Sequence, residues 1–268
     1  MAKTNILISD AVSFKGKMVL ITGASSGIGR ATALRFAETG ARLYLLDIHI
    51  EGLNETIDLC NQLDNQHIAY EIDLSNKVKI DEFWANIDDK NIPDVIVNNA
   101  GIYPMMDYLK VDETFLKKIL DTNLNSMFWM CQSYIDKRDK LGGIIVNMSS
   151  IEAILPFKKD MVHYSISKAG VIALTRSIAR DYGKLGFRAN VIMPGAIMTN
   201  GTKSIMKDAI LGLDVNLLKT GYDFEQRLAD GKWGEPDDIA KVALFLSSDL
   251  ASYVQGAVIP VDGGFLSS

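Results

Sequence analysis

The sequence predicts an α/β fold, a doubly wound parallel sheet in a single domain with a helical segment closing over one end. Two observations carry this. Short apolar runs alternate with amphipathic helical stretches along nearly the whole chain, the pattern of strand–helix–strand units that build a parallel sheet. The chemically distinctive residues fall just after those apolar runs, at the strand ends beyond which open parallel sheets bind their ligands. A length of 268 residues suits one large domain. Residues 1–13 read as a short polar leader and 14–268 as the domain, with no repeat, low-complexity tract or linker.

Lys17 to Thr22 is a compact apolar run of the kind a buried parallel strand needs. It feeds Gly23-Ala-Ser-Ser-Gly-Ile-Gly29, and an amphipathic helix follows from Arg30 to Glu38, stopped by Gly40. Glycines at such a turn let backbone amides approach a phosphate at a helix N-terminus, whose dipole favours the negative charge. The spacing is G-x-x-x-G-x-G, and it makes Gly23, Ser25, Ser26, Gly27, Ile28 and Gly29 candidate dinucleotide contacts. The next strand, Arg42 to Asp47, ends in a carboxylate about twenty residues past the turn, where the dinucleotide fold binds ribose hydroxyls. A carboxylate there repels a 2′-phosphate. Ser26 and Ile48-His49 supply no Arg or Lys to receive one, so the expected cofactor is NAD.

A helix is expected over Glu51–Leu63 and a strand over His67–Ile72, leading to Asp73-Leu74. A further helix runs from Asn76 to Ile87, and the strand Val95–Val97 delivers Asn98-Asn99-Ala100-Gly101, small and amide residues suited to close contact with a flat ligand. One long helical stretch, Asp112 to Lys137, carries Asn123. Gly142–Met148 is another buried strand, placing Ser149 and Ser150 at its end. The loop 151–161 leads to a helix over Val162–Tyr182, and the strand Phe187–Met193 ends at Pro194-Gly195. Residues 197–233 break the alternation, which suggests a lid. Pro236–Ser247 is a final helix, followed by the apolar Gly256–Val261 and Asp262-Gly-Gly264.

Tyr164 and Lys168 stand four apart on the expected helix, one turn apart on one face. A free phenol titrates near ~10, and a neighbouring fixed positive charge favours the phenolate. The pair is therefore a candidate proton-transfer group, with a serine hydroxyl to hold a substrate oxygen beside it. Tyr and Lys at this spacing are more often a rim tyrosine and a solvated lysine. The strand-end features decide between the two readings.

Composition narrows the rest. A net charge of −5 without a basic cluster argues against nucleic acid. Cys60 and Cys131 sit in amphipathic patterns and read as core residues, and the three histidines are scattered, so neither a disulfide framework nor a metal site is expected. No apolar run approaches the ~20 residues of a membrane span, and the first fourteen residues lack the layout of a secretory signal. The expected address is the cytoplasm.

Taken together, Thr22–Gly29, Asn98-Asn-Ala-Gly101, Ser149-Ser150, Tyr164-x-x-x-Lys168, Pro194-Gly195 and Asp262-Gly-Gly264 give the chain a close resemblance to the short-chain dehydrogenase/reductases of the single-domain type. The resemblance runs from Phe14 onward and implies a Rossmann-type fold. It also implies a catalytic tetrad of Asn123, Ser150, Tyr164 and Lys168, and a nicotinamide cofactor. Contacts carried over with it are Asp47 and Ile48, Asp73 and Leu74 near the adenine, and Asn99, Ala100, Gly101, Pro194 and Gly195. Tyr164 and Lys168 join them, with Ile197 and Thr199 near the carboxamide. Homotetramers are common in the family. The implied reaction interconverts a secondary alcohol and a ketone by hydride transfer, Tyr164 acting as base or acid and Lys168 lowering its pKa.

There are departures from the family pattern. The Ser150-to-Tyr164 interval is one residue longer than usual, which leaves Ser149 as the fallback serine. Glu152 stands two residues beyond the serine and His163 beside the tyrosine, both positions that tend to face substrate. Tyr103, Met105, Ile154, Pro156, Ala196 and Met198 are further candidate lining residues; the pairing of Glu152 with His163, and the resemblance of His163-Tyr164 and Pro156-Phe157 to the family's sugar dehydrogenases, favour a sugar or polyol substrate, a hydroxysteroid-like alcohol remaining open. Two rivals stand beside this reading. One is an NADPH-dependent 3-oxoacyl-thioester reductase, which Asp47 opposes. The other is a non-catalytic NAD-binding regulator, which a complete tetrad opposes. A sugar-nucleotide epimerase would need a larger C-terminal domain.

Overall fold

The structure is a computed structural model. It describes residues 7–61, 66–199, 201–203, 211, 215–229 and 231–268, the side chains of 215–220 excepted. Seven strands form one sheet in the order β3-β2-β1-β4-β5-β6-β7. They are β1 (Met18–Thr22), β2 (Arg42–Asp47), β3 (His67–Glu71), β4 (Val95–Asn98), β5 (Gly143–Met148), β6 (Phe187–Pro194) and β7 (Val258–Val261). Every pairing is parallel. The chain winds from β1 outward to β3, then crosses back to lay β4 on the other side of β1. That reversal opens a crevice at the carboxyl ends of β1 and β4.

The expected strands and helices form within a few residues of the bounds read from the sequence. The described helices are α1 (Ile8–Ala11), α2 (Gly27–Glu38), α3 (Ile50–Asn61), α4 (Lys77–Ala85), α5 (Glu113–Leu120), α6 (Ser126–Arg138), α7 (Val162–Tyr182), α8 (Val215–Arg227) and α9 (Pro236–Ser247). Two apolar layers hold them to the sheet. Val19 and Ile21 of β1 face Phe36 of α2, Leu53 of α3 and Ala243 of α9, whereas Met18 and Leu20 face Trp84 of α4, Tyr134 of α6 and Ile178 of α7. A strand buried on both faces has no polar alternation, which is why β1 reads as a continuous apolar run.

The long helix expected over Asp112–Lys137 is interrupted. Asp121–Asn125 forms a π turn between α5 and α6. Asn123 sits inside it, fully buried, and uses its side chain on another segment. Its Nδ2 donates to Ile102 O (2.8 Å), and its Oδ1 accepts from Ile102 N (2.7 Å). Widened turns of this kind recur at functional sites.

Both cysteines are free and buried, and burial pushes each thiol up to about 12, which leaves them inert at neutral pH. Arg35 of α2 clamps Asp237 of α9 with a two-pronged ion pair (Nε–Oδ1 2.5 Å, Nη2–Oδ2 2.7 Å), and that partner holds the Asp237 carboxyl down to about 2. Phe36 is fully buried and meets Phe14 edge-on at 4.9 Å. Phe36→Ala should therefore cost about 3–5 kcal/mol of unfolding free energy, read from the denaturation midpoint. No described helix is long and apolar enough to cross a membrane.

Candidate active site

A cleft of about 1050 Å³ opens at the carboxyl ends of the strands. Its floor is the glycine turn between β1 and α2. Gly23 has φ +66°, and a Cβ there would stand 2.8 Å from Asn99 Nδ2. Gly27 has φ +53° and lies against Thr199, where a Cβ would come within 3.2 Å of the methyl group. Gly29 is buried behind the turn, and a Cβ on it would overlap the Gly23 carbonyl. Glycine at these points brings bare backbone to the mouth of α2, an arrangement that fits a pyrophosphate.

Thr22, at the end of β1, ties this turn to the next strand. Its Oγ1 accepts from Asn99 N (2.9 Å) and Ala100 N (3.0 Å), while Asn99 Nδ2 donates to Thr22 O (3.1 Å). Sequence reasoning passed over Thr22, although its place as the last strand residue before the glycine turn was the available signal.

Asp47 closes β2 beside the turn. Its Oδ2 accepts from Ser25 N and its Oδ1 from His49 N, each at 3.1 Å. Both oxygens are thus oriented while the side chain still lines the cleft. Arg30 is tied to the same turn, and it too escaped notice in the sequence. Its guanidinium donates to Ser25 O (2.5 Å), Glu55 (2.7 Å) and Thr56 Oγ1 (3.0 Å), so it is committed behind the turn. Ser25, Ser26, Ile28, Ile48, Asp73, Leu74, Ala100, Gly101, Pro194, Gly195, Ile197 and Thr199 all reach the cleft as expected. Gly29 stands behind it as packing.

The wall opposite β2 carries Ser150, Tyr164 and Lys168. Its position is set by a buried polar chain running from strand to helix. Asn98 Nδ2 donates to Asn147 Oδ1 (2.8 Å), and Asn147 Nδ2 to Thr175 Oγ1 (3.0 Å), joining β4, β5 and α7. Lys168 is buried and donates to Met148 O (2.9 Å), with its Nζ 5.7 Å from the centre of the Tyr164 ring. Asn123 supports this corner from behind, and Gly101 leaves the space between them. A Cβ there would stand 3.3 Å from both Asn123 Oδ1 and Lys168 Nζ. Ser149, the fallback serine, is spent on structure, since its hydroxyl donates to Lys168 O at 2.7 Å. Ser150 is the serine that shares the cleft wall with the phenol, and its hydroxyl accepts from Glu152 N at 3.2 Å.

The electrostatics differ from the expectation that Lys168 draws the tyrosine pKa down. Burial pushes the Tyr164 phenol up to about 12, with Glu152 and Tyr103 adding to the rise and the Ser150 hydroxyl opposing it. Burial likewise lowers Lys168 to about 8. In the protein alone, desolvation sets the direction of both shifts.

Glu152 reaches the cleft as expected and is buried there. Its oxygens accept from Phe157 N (3.3 Å), Lys158 N (3.1 Å) and Ser165 Oγ (3.5 Å). His163 corrects the sequence reading. It is buried behind the wall with Nε2 against Pro104 O at 2.8 Å and its ring edge-on to Phe115 at 4.9 Å, and it does not line the cleft. Helical geometry explains this: adjacent residues on α7 point about 100° apart, so His163 cannot share the Tyr164 face. Of the other expected lining residues, Tyr103 and Ala196 reach the cleft, while Met105, Ile154, Pro156 and Met198 do not. Tyr222, Phe224 and Trp233 border it from the segment 197–233. Among the described residues no His/Cys/Asp/Glu group is arranged to hold a metal.

A two-part cleft, with a glycine cradle and the Asp47 carboxylate on one side and a Ser–Tyr–Lys wall on the other, fits a nicotinamide dinucleotide held against an alcohol. A family model described as Enoyl-(Acyl carrier protein) reductase matches residues 23–266. The chain is 34% identical over 263 residues to the 2-dehydro-3-deoxy-D-gluconate 5-dehydrogenase of Bacillus subtilis (strain 168), covering 97% of this chain and 98% of that one. A putative 2-deoxy-D-gluconate 3-dehydrogenase from Agrobacterium tumefaciens, solved with bound NADP, superposes with a TM-score of 0.86 at 30% identity, covering 97% of this chain and 100% of its own. A 7α-hydroxysteroid dehydrogenase complexed with NADH and 7-oxo glycochenodeoxycholic acid superposes at 0.87 and 31% identity, covering 97% and 98%. By sequence, fold and site geometry, the chain belongs to the short-chain dehydrogenase/reductase family.

Proposed function

We propose that the protein oxidises a secondary alcohol of a sugar or polyol, and reduces the matching ketone, with NAD(H). The observation that carries this is the meeting of Ser150, Tyr164 and Lys168 on one wall of a cleft whose opposite side ends in Asp47. The cofactor, when bound, supplies the hydride chemistry. The glycine turn would hold its pyrophosphate, Asp47 the adenine-side ribose, and Lys168 the nicotinamide ribose. Ser150 orients the substrate oxygen. Tyr164 takes the carbinol proton in oxidation and returns it in reduction. Asn123 anchors the Ile102 backbone beside Gly101 and so positions Lys168.

Asp47 supports NAD over NADP, because its carboxylate repels a 2′-phosphate and the neighbouring Arg30 is already bound to Ser25, Glu55 and Thr56. The acyl-thioester reductase reading would need NADPH. The two are separated by calorimetric titration with NADH and NADPH. NADH should bind more tightly, and preferred NADPH binding would promote the thioester reductase. Residues 197–233, of which 200, 204–210, 212–214 and 230 lie outside the described residues, are read as the lid over the substrate. The reading also carries a cytoplasmic homotetramer, which sedimentation of the purified protein tests.

A further inference from the structure

Lys158 stands out in the substrate end of the cleft. It follows Phe157 in the loop between Ser150 and α7, and both residues line the cleft. That end is bordered by aromatic side chains, with Phe157 4.9 Å from Phe224 and Phe224 5.6 Å from Trp233. The loop is fixed rather than trailing. Asp160 adopts φ +61°, a left-handed conformation that Asp tolerates better than most residues, and Asp160 O accepts from Met106 N at 3.0 Å.

The ammonium of Lys158 forms no ion pair and no side-chain hydrogen bond among the described residues. Burial makes its charged form less favourable, and Glu152 acts on it only through space. Glu152 is the obvious partner, yet its oxygens accept from Phe157 N, Lys158 N and Ser165 Oγ, and no ion pair joins them to the Lys158 ammonium. Glu225 borders the same cleft but is exposed, where solvent and salt screen its field. A half-buried cation without a counter-ion in contact carries a desolvation cost that an incoming anion offsets. Glu152, in contrast, retains acceptor capacity suited to substrate hydroxyls.

We infer that Lys158 is the anchor for a substrate carboxylate, so that the substrate is a polyhydroxylated acid, an aldonic acid or its keto form, rather than a neutral sugar. The inference rests on the oxidoreductase reading above and adds the class of its substrate. Lys158 acts on binding and not on the proton transfer at Tyr164.

The test compares the wild type with Lys158→Gln and Lys158→Arg on a panel of five- and six-carbon aldonates and the matching alditols, NAD⁺ reduction being followed by absorbance. The wild type should favour aldonates. Lys158→Gln should raise the aldonate KM about 10- to 100-fold, the loss of one charge-assisted hydrogen bond, with kcat little changed and alditol kinetics unmoved. Lys158→Arg should restore most of the affinity. A parallel loss on acids and neutral alcohols, an aldonate KM unmoved by Lys158→Gln, or turnover confined to neutral alcohols would overturn the anchor and leave the oxidoreductase standing. Inactivity on every alcohol with NADH still bound would remove that reading, and the anchor with it.

Discussion

Tyr164→Phe should lower turnover in both directions by about 10²–10⁴-fold, the usual contribution of a positioned general acid or base. The substitution removes one oxygen from a half-buried ring and leaves the packing against Tyr103 in place. The dissociation constant for NADH should stay within about twofold, because the phenol is not part of the glycine cradle. The wild-type pH profile should show the same group at work. Oxidation needs the phenolate, so its rate rises with pH, whereas reduction needs the phenol and falls once that proton is lost. The pKa of about 12 in the protein alone means that the phenol is protonated at neutral pH, poised for reduction. Any oxidation near neutrality then depends on the holoenzyme, in which the positive nicotinamide ring adds to the charge of Lys168. Stopped-flow measurement of the first turnover across pH 6–10 reads both limbs. A Phe variant that retains most of its turnover would place the proton transfer on another group.

Asp47→Ser is expected to change which cofactor the enzyme uses. The carboxylate is aimed by the Ser25 and His49 amides at opposite oxygens, so removing it should delete a charge-assisted partner for the ribose and the repulsion toward a 2′-phosphate together. The first effect alone should raise the NAD⁺ KM about 10- to 100-fold. The second should lower the NADP⁺ KM, so the preference falls by more than either change. Steady-state kinetics with both cofactors measures this. An unchanged preference would show that selectivity lies elsewhere on the turn.

The alternation of strands and helices, the glycine cradle and the Ser–Tyr–Lys wall were legible in the sequence because each rests on local chemistry. A glycine is required where a Cβ would meet Asn99, as at Gly23, and a four-residue spacing puts Tyr164 and Lys168 on one helical face. What stayed hidden depends on contacts between distant segments. The π turn around Asn123 arises because its side chain bonds to Ile102, twenty-one residues away. His163 looks substrate-facing beside Tyr164 in sequence, but the helical step turns it toward Pro104 and Phe115. The direction of the Tyr164 pKa was misread because the sequence shows the neighbouring lysine and not the burial of both groups. The preference for Ser150 over Ser149 gained its structural reason in the bond from Ser149 to Lys168 O. Lys158 carried no sequence signal, since a lysine in a loop is ordinarily solvated.

The most direct test of the central claim uses NADH deuterated at the transferring position, incubated with the wild-type protein and keto forms of sugars and sugar acids. The products are read by mass spectrometry. Deuterium on the new carbinol carbon, lost in Tyr164→Phe and weaker with the corresponding NADPH, is the expected result. Cofactor that binds but delivers no deuterium to any ketone would contradict the assignment of this cleft to hydride transfer.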